Sequence, residues 1–83
     1  MATTQNDIRE WLARGKKEKA THLVVVVDTF DHEDYPVFVK RGEDVRVVFD
    51  KYNGPNMARV MEVYFYARDL EAQLAEYRAL HFD

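Results

Sequence analysis

Two hydrophobic periods mark out the elements of the chain. Ile8, Trp11, Leu12 and Gly15 fall at i, i+3, i+4 and i+7, one face of a helix, behind a Thr4/Asp7 pair with weak capping spacing. The spacing predicts a helix to Lys17 or Glu18, in which Gly15 either lets it approach a sheet closely or stops it a turn earlier. Leu23 to Val27 is apolar at every position, so both faces of a strand there need cover and the strand should be central. Asp31, His32, Glu33 and Asp34 then read as a polar connection closed by Tyr35-Pro36, and Val37, Phe38 and Val39 as a second strand at hairpin distance.

Gly42, Glu43 and Asp44 put acidic residues where a helix dipole favours them, and Val45, Val48, Phe49 and Tyr52 repeat at helical spacing until Asn53-Gly54-Pro55. The β-branched stretch Val45 to Phe49 would also suit a strand, but spacing and both terminal signals agree on a helix. Met57 to Tyr66 reads as a strand with Glu62 as its acidic interruption, and Asp69 caps a last helix with Leu70, Leu74, Tyr77 and His81 on one stripe. The predicted fold is a single α+β domain over residues 1–83 in the order α-β-β-α-β-α. The third strand returns through a helix, parallel to the second, so it pairs antiparallel with the first and the predicted three-stranded antiparallel sheet has the order 2-1-3.

Composition narrows the chemistry. A chain of 83 residues makes one marginally stable domain, which favours a homo-oligomer, and 47% hydrophobic with 13% aromatic residues lies far from disordered compositions. Cysteine and serine are both absent, which removes disulfides, thiolate metal sites and the commonest nucleophiles, leaving Thr3, Thr4, Thr21 and Thr29. The opening MATTQND lacks a secretory pattern and Leu23 to Val27 is far too short to span a membrane, so a soluble cytoplasmic protein with no membrane partner is expected. The net charge of -3 argues against duplex nucleic acid, because the one basic cluster, Arg14, Lys16, Lys17 and Lys19, is broken by Gly15 and Glu18.

The segment Asp28-Thr29-Phe30-Asp31-His32-Glu33-Asp34-Tyr35 gathers four acidic groups and an imidazole in eight residues. It lacks the alternation and central glycine of a calcium loop, and His32 has no i+4 partner for zinc, so no metal or other cofactor is expected. Asp28 directly continues the apolar strand. Its carboxylate could accept hydrogen bonds from a ribose, a base edge or a partner's arginine, or it could cap its own turn. An Asp-His acid-base pair without Ser or Cys does not make an enzyme, and three isolated glycines do not make a phosphate loop. Regular alternation puts Glu62, Tyr64 and Tyr66 on one face of the last strand and Met61, Val63 and Phe65 on the other. The tyrosine face is either a recognition surface or covered by helices with hydroxyls at the rim. Arg41, Arg46 and Arg59 are candidate anion contacts if they converge, and solvated surface arginines if they do not.

Ala20-Thr21-His22, Asp28-Thr29-Phe30-Asp31 and Glu33-Asp34-Tyr35-Pro36-Val37 resemble a family of small proteins associated with phages and prophages. The resemblance continues through Gly42-Glu43-Asp44-Val45, Tyr52-Asn53-Gly54 and Arg59-Val60-Met61-Glu62-Val63-Tyr64, with Lys19 standing where a glycine would precede Ala20. It implies no activity and no binding residues. With it, the chain reads as a non-enzymatic, phage-type accessory or anti-defence protein that works by binding. One reading has an oligomer sequester a nucleotide-like immune signal, with Tyr or Phe stacking a base, Asp28 or Thr29 on ribose or base, and an arginine on phosphate. The other has the acidic loop and sheet edge dock on a host or phage protein. The candidate binding residues are Asp28, Thr29, Phe30, Asp31, His32, Tyr35, Arg59, Tyr64 and Tyr66.

Overall fold

The all-apolar run lies in the middle of the sheet. In the computed structural model, which describes residues 4–54, 57–76 and 78–82, β1 (Ala20–Asp28) pairs antiparallel with β2 (Glu33–Lys40) on one side and β3 (Ala58–Phe65) on the other, giving the order β2-β1-β3. Helices α1 (Gln5–Lys17), α2 (Val45–Tyr52) and α3 (Leu70–Leu74) complete the α-β-β-α-β-α order. None of these helices is long and apolar enough to cross a membrane.

The two faces of β1 build two cores. Leu23 and Val25 pack with Ile8 and Leu12 of α1 and with Tyr64, Leu74 and Ala79. Val24 and Val26 pack with Val39, Val45, Ala58, Val60 and Val63 under α2. Leu23, Val24 and Val26 are 0% exposed and Val25 2%, and each such burial contributes roughly 1.5–3 kcal/mol.

A complete capping box starts α1: Thr4 Oγ1 accepts from the Asp7 N–H at 3.2 Å and Asp7 Oδ2 accepts from the Thr4 N–H at 3.0 Å. Its end is made by Lys19, which takes the left-handed conformation, φ 61°, that a glycine usually supplies there. Gly15 is the close-approach residue. A Cβ at that position would lie 2.1 Å from the Tyr66 hydroxyl oxygen and 2.8 Å from the Phe38 ring. The Tyr66 hydroxyl meanwhile donates to the Leu12 carbonyl at 2.8 Å, stitching the helix to the sheet.

Three details differ from the sequence reading. First, β2 begins at Glu33, so Glu33 to Pro36 pair with Asp28 to Val25 and the connection shrinks to Thr29–His32, with His32 at φ 59°. Polar residues suit this strand because it forms the sheet edge, where proline is also tolerated. Second, Val25 lies opposite Glu62 but Val26 opposite Val60, so Met61 is an extra residue in a bulge. Third, the last helix stops at Leu74 instead of carrying its stripe on to His81; Tyr77 lies outside the described residues. The chain instead runs beside β3, with the Val63 N–H donating to the Ala79 carbonyl at 2.8 Å and the His81 N–H to the Val63 carbonyl at 3.0 Å. The outer groups of β3 need partners, and this segment supplies them. Buried Gln73 does the same at the strand end, accepting from the Phe65 N–H at 2.8 Å and donating to its carbonyl at 2.9 Å.

Because the backbone groups of Val63 point outward, its partner Val24 must bond to β2, and strict alternation then turns the backbone of Pro36 and Phe38 to the open edge. Pro36 has no N–H to offer there. The Lys40 N–H is taken by Glu43 Oε1 at 2.7 Å. The β2 edge is thereby blunted against strand addition.

Replacing Gly15 with Ala should lower stability by about 1–3 kcal/mol despite better helix propensity, and the loss combined with Tyr66→Phe should be less than the sum of the two, measured by urea unfolding. Full additivity would show that the hydroxyl and the helix do not compete for this space. A second expectation concerns pH. Burial pushes the Tyr66 phenol up from 10.0 to about 12, with Glu18 adding, and burial together with Glu62 raises that of Tyr64 further. Both stay protonated in the folded state where the unfolded chain ionises. Their contribution is therefore complete below about pH 10; it falls as pH rises, that of Tyr66 being lost through about 12 and that of Tyr64 only beyond it, which denaturant unfolding between about pH 10 and 12 should show as a slope flattened by Tyr66→Phe.

Candidate functional site

The acidic aromatic turn is held by its own first residues. Asp28 Oδ1 accepts from the Phe30 N–H at 2.8 Å and the Asp28 carbonyl from the His32 N–H at 2.7 Å. The Thr29 N–H and hydroxyl both donate to the Met57 carbonyl, at 2.8 and 2.6 Å, tying the turn to the start of β3. Asp28 thus caps its turn, the structural alternative read from sequence, and Thr29 is equally engaged. What this anchoring does is present Phe30, which is 78% exposed, next to Met57, 57% exposed and itself at φ 64°. Asp31, His32 and Glu33, which follow it in the chain, are exposed as well.

Tyr35 lies opposite Val26 on the α2 side of the sheet and meets Tyr52 edge-on, with ring centroids 6.4 Å apart. Partial burial raises its phenol pKa, and Tyr52 and Asp28 add to the rise. Tyr64 and Tyr66 are on the face that α1 and α3 cover. Tyr64 is 1% exposed and donates to Glu62 Oε1 at 2.8 Å, so of the two readings of these tyrosines the covered one describes their position.

The three candidate arginines do not converge. Arg41 follows β2 at the end of the sheet where Lys40 meets Ala20, and the Arg46 guanidinium lies 4.8 Å from the Phe82 ring centroid. Arg59 is at the turn end, opposite Val27, whose other neighbour is Asp34. Asp34, Val27 and Arg59 therefore form a row across one face. Asp34, Arg59, Glu62 and Arg78 line a cleft of about 590 Å³ together with Ile8 and Val25. Its charged groups are two carboxylates and two guanidiniums. Arg78 is fixed by the bulge, donating from Nε to the Met61 carbonyl and from Nη2 to the Val60 carbonyl, both at 3.0 Å. Glu62 is oriented by Tyr64. The side chains of Asp34 and Arg59 have no hydrogen bond or ion pair among the described residues.

Asp34 and Arg78 are the cleft residues that sequence reasoning did not single out. Asp34 could have been found from the register, since a four-residue connection puts it on the face of Val25 and Val27; nothing in the sequence marks Arg78. Among the described residues no three His, Asp or Glu side chains gather as a metal site requires. Comparison with known proteins found no family model, curated protein or solved structure that matches the chain.

Asp28→Ala should cost about 1 kcal/mol, as loss of a turn hydrogen bond does, whereas Phe30→Ala should change stability by less than about 0.5 kcal/mol, both measured by urea unfolding. A large loss at Phe30 would place its ring in the packing of the turn.

Proposed function

We propose that the chain is a non-enzymatic, phage-type accessory protein of an anti-defence kind that works by docking on a host or phage protein through its acidic aromatic turn. The observation that carries this reading is Phe30, 78% exposed on a turn whose backbone is fixed at both Asp28 and Thr29. A preordered exposed aromatic loses little entropy on binding, which is how anchor residues concentrate affinity. Exposed Asp31 and Glu33 add an acidic rim, so the complementary partner has an apolar pocket edged with Lys or Arg. Side chains would make this contact. The blunted β2 edge offers few free backbone donors for the strand addition the sequence reading allowed. The phage assignment rests on the sequence resemblance alone.

A second reading, enclosure of a nucleotide-like signal by an oligomer, has in its favour Arg59, which lines the cleft with no ion-pair partner among the described residues. Asp28 and Thr29, its ribose contacts, are engaged in the turn, and neither they nor Phe30 lines the cleft.

A photo-crosslinking residue at position 30, used in host cells with and without phage, tests the docking reading beside calorimetric titration with cyclic and ADP-ribose nucleotides. Docking should give one defined protein adduct that excess unlabelled protein competes away and that the Phe30→Ala and Asp31→Lys variants fail to compete, with no heat from nucleotides. Nucleotide binding that Phe30→Ala leaves unchanged, with no competed adduct, would overturn it.

A further inference from the structure

We propose that the cleft between β3 and the start of α1 binds a small zwitterion with an apolar body, of which a dipeptide is the simplest example, through Arg59 on its carboxylate and Asp34 and Glu62 on its ammonium group. This goes beyond the docking function, which uses the turn outside the cleft.

The reasoning starts from charge. Asp34 and Glu62 balance Arg59 and Arg78, so the charged lining of the cleft sums to zero within a chain of net charge -3. A polyanion such as a nucleotide would meet two carboxylates for its two guanidiniums, whereas a zwitterion meets an opposite charge at each end. The opposite charges have not collapsed on each other. Val27 separates Asp34 from Arg59, which puts their Cα atoms two strand spacings, about 10 Å, apart, and neither side chain has an ion-pair partner among the described residues. A ligand whose ends lie about 7 Å apart, the length of two residues, can bridge them. Between the charges Ile8 and Val25 supply apolar lining for a side chain, and about 590 Å³ lies within the range of small-molecule sites.

The surrounding structure also holds the two central charged groups in place. The Tyr64 hydroxyl fixes one Glu62 oxygen and the bulge carbonyls of Val60 and Met61 hold the Arg78 guanidinium, while among the described residues the other Glu62 oxygen and the remaining Arg78 N–H groups have no partner. Arg59 and Asp34 stand toward the β1–β2 turn, where no side-chain partner among the described residues holds them and they can adjust to a ligand.

The test is calorimetric titration of the full chain with glycyl-leucine at low ionic strength, beside N-acetyl-glycyl-leucine, glycyl-leucine amide and AMP. Glycyl-leucine should bind, each blocked form should bind at least tenfold more weakly, and AMP should bind more weakly still. Arg59→Ala and Asp34→Asn should each weaken glycyl-leucine at least tenfold with an unchanged melting transition, and Arg41→Ala, at the other end of the sheet, should have no effect. Equal binding of the blocked forms, tighter binding of AMP, or no heat from glycyl-leucine would overturn the proposal. If one cleft variant melts early, the blocked ligands titrated into the unaltered chain still decide.

Discussion

Four consecutive residues, Leu23 to Val26, are at most 2% exposed, and a strand that buries both faces can sit only between two others. From that constraint the remainder of the sheet follows. One face demands α1 and the other α2, so helices must lie on both sides. The chain is short, and α1 reaches the required contact only by giving up a side chain at Gly15, where the Tyr66 hydroxyl and the Phe38 ring occupy the space a Cβ would need. The same tyrosine returns a hydrogen bond to Leu12, so close packing and polar satisfaction occur at one point.

With β1 enclosed, the two outer strands must satisfy their own free edges, and they do so differently. Along β3, backbone groups are met by Ala79 and His81, by Gln73, by the Asn53 side chain on the Val60 N–H, and by Arg78 on the bulge carbonyls. Along β2, proline and the Glu43 cap at Lys40 reduce what is exposed. The functional surfaces arise where this accounting ends, at the pole carrying the β1–β2 turn. There Asp28 and Thr29 spend their hydrogen bonds on holding the backbone, and Phe30 is left outward; beside it the register sets Asp34, Val27 and Arg59 in a row across the sheet, with Asp34 and Arg59 both lining the cleft.

Much of the fold was legible because periodicity and burial act on contiguous residues. The uninterrupted apolar run located β1 and, with the return through a helix, the strand order. The signals failed where a distant element overrode a local one. Glu33 and Asp34 look like loop because they are charged, yet an edge strand accepts charge, and the register set by Val24 and Val26 carries pairing through them. The spacing of Leu70, Leu74, Tyr77 and His81 fits one helix, but the unpaired outer edge of β3 draws Ala79 to His81 into extended chain. The turn was visible as a string; that Asp28 and Thr29 serve Phe30 was not, since it depends on the Met57 carbonyl far along the chain. The cleft was least legible, because Asp34, Arg59, Glu62 and Arg78 meet only through sheet register and a bulge.

Native-state hydrogen exchange tests the enclosed strand and its blunted edge together. The Val24, Val25 and Val26 amides should exchange only through global unfolding, and along β2 the Val37 and Val39 amides should be protected while Phe38, between them, exchanges orders of magnitude faster. Equal protection of Phe38 and its neighbours, or rapid exchange at Val24 to Val26, would contradict a sheet centred on β1 with an open, unpaired β2 edge.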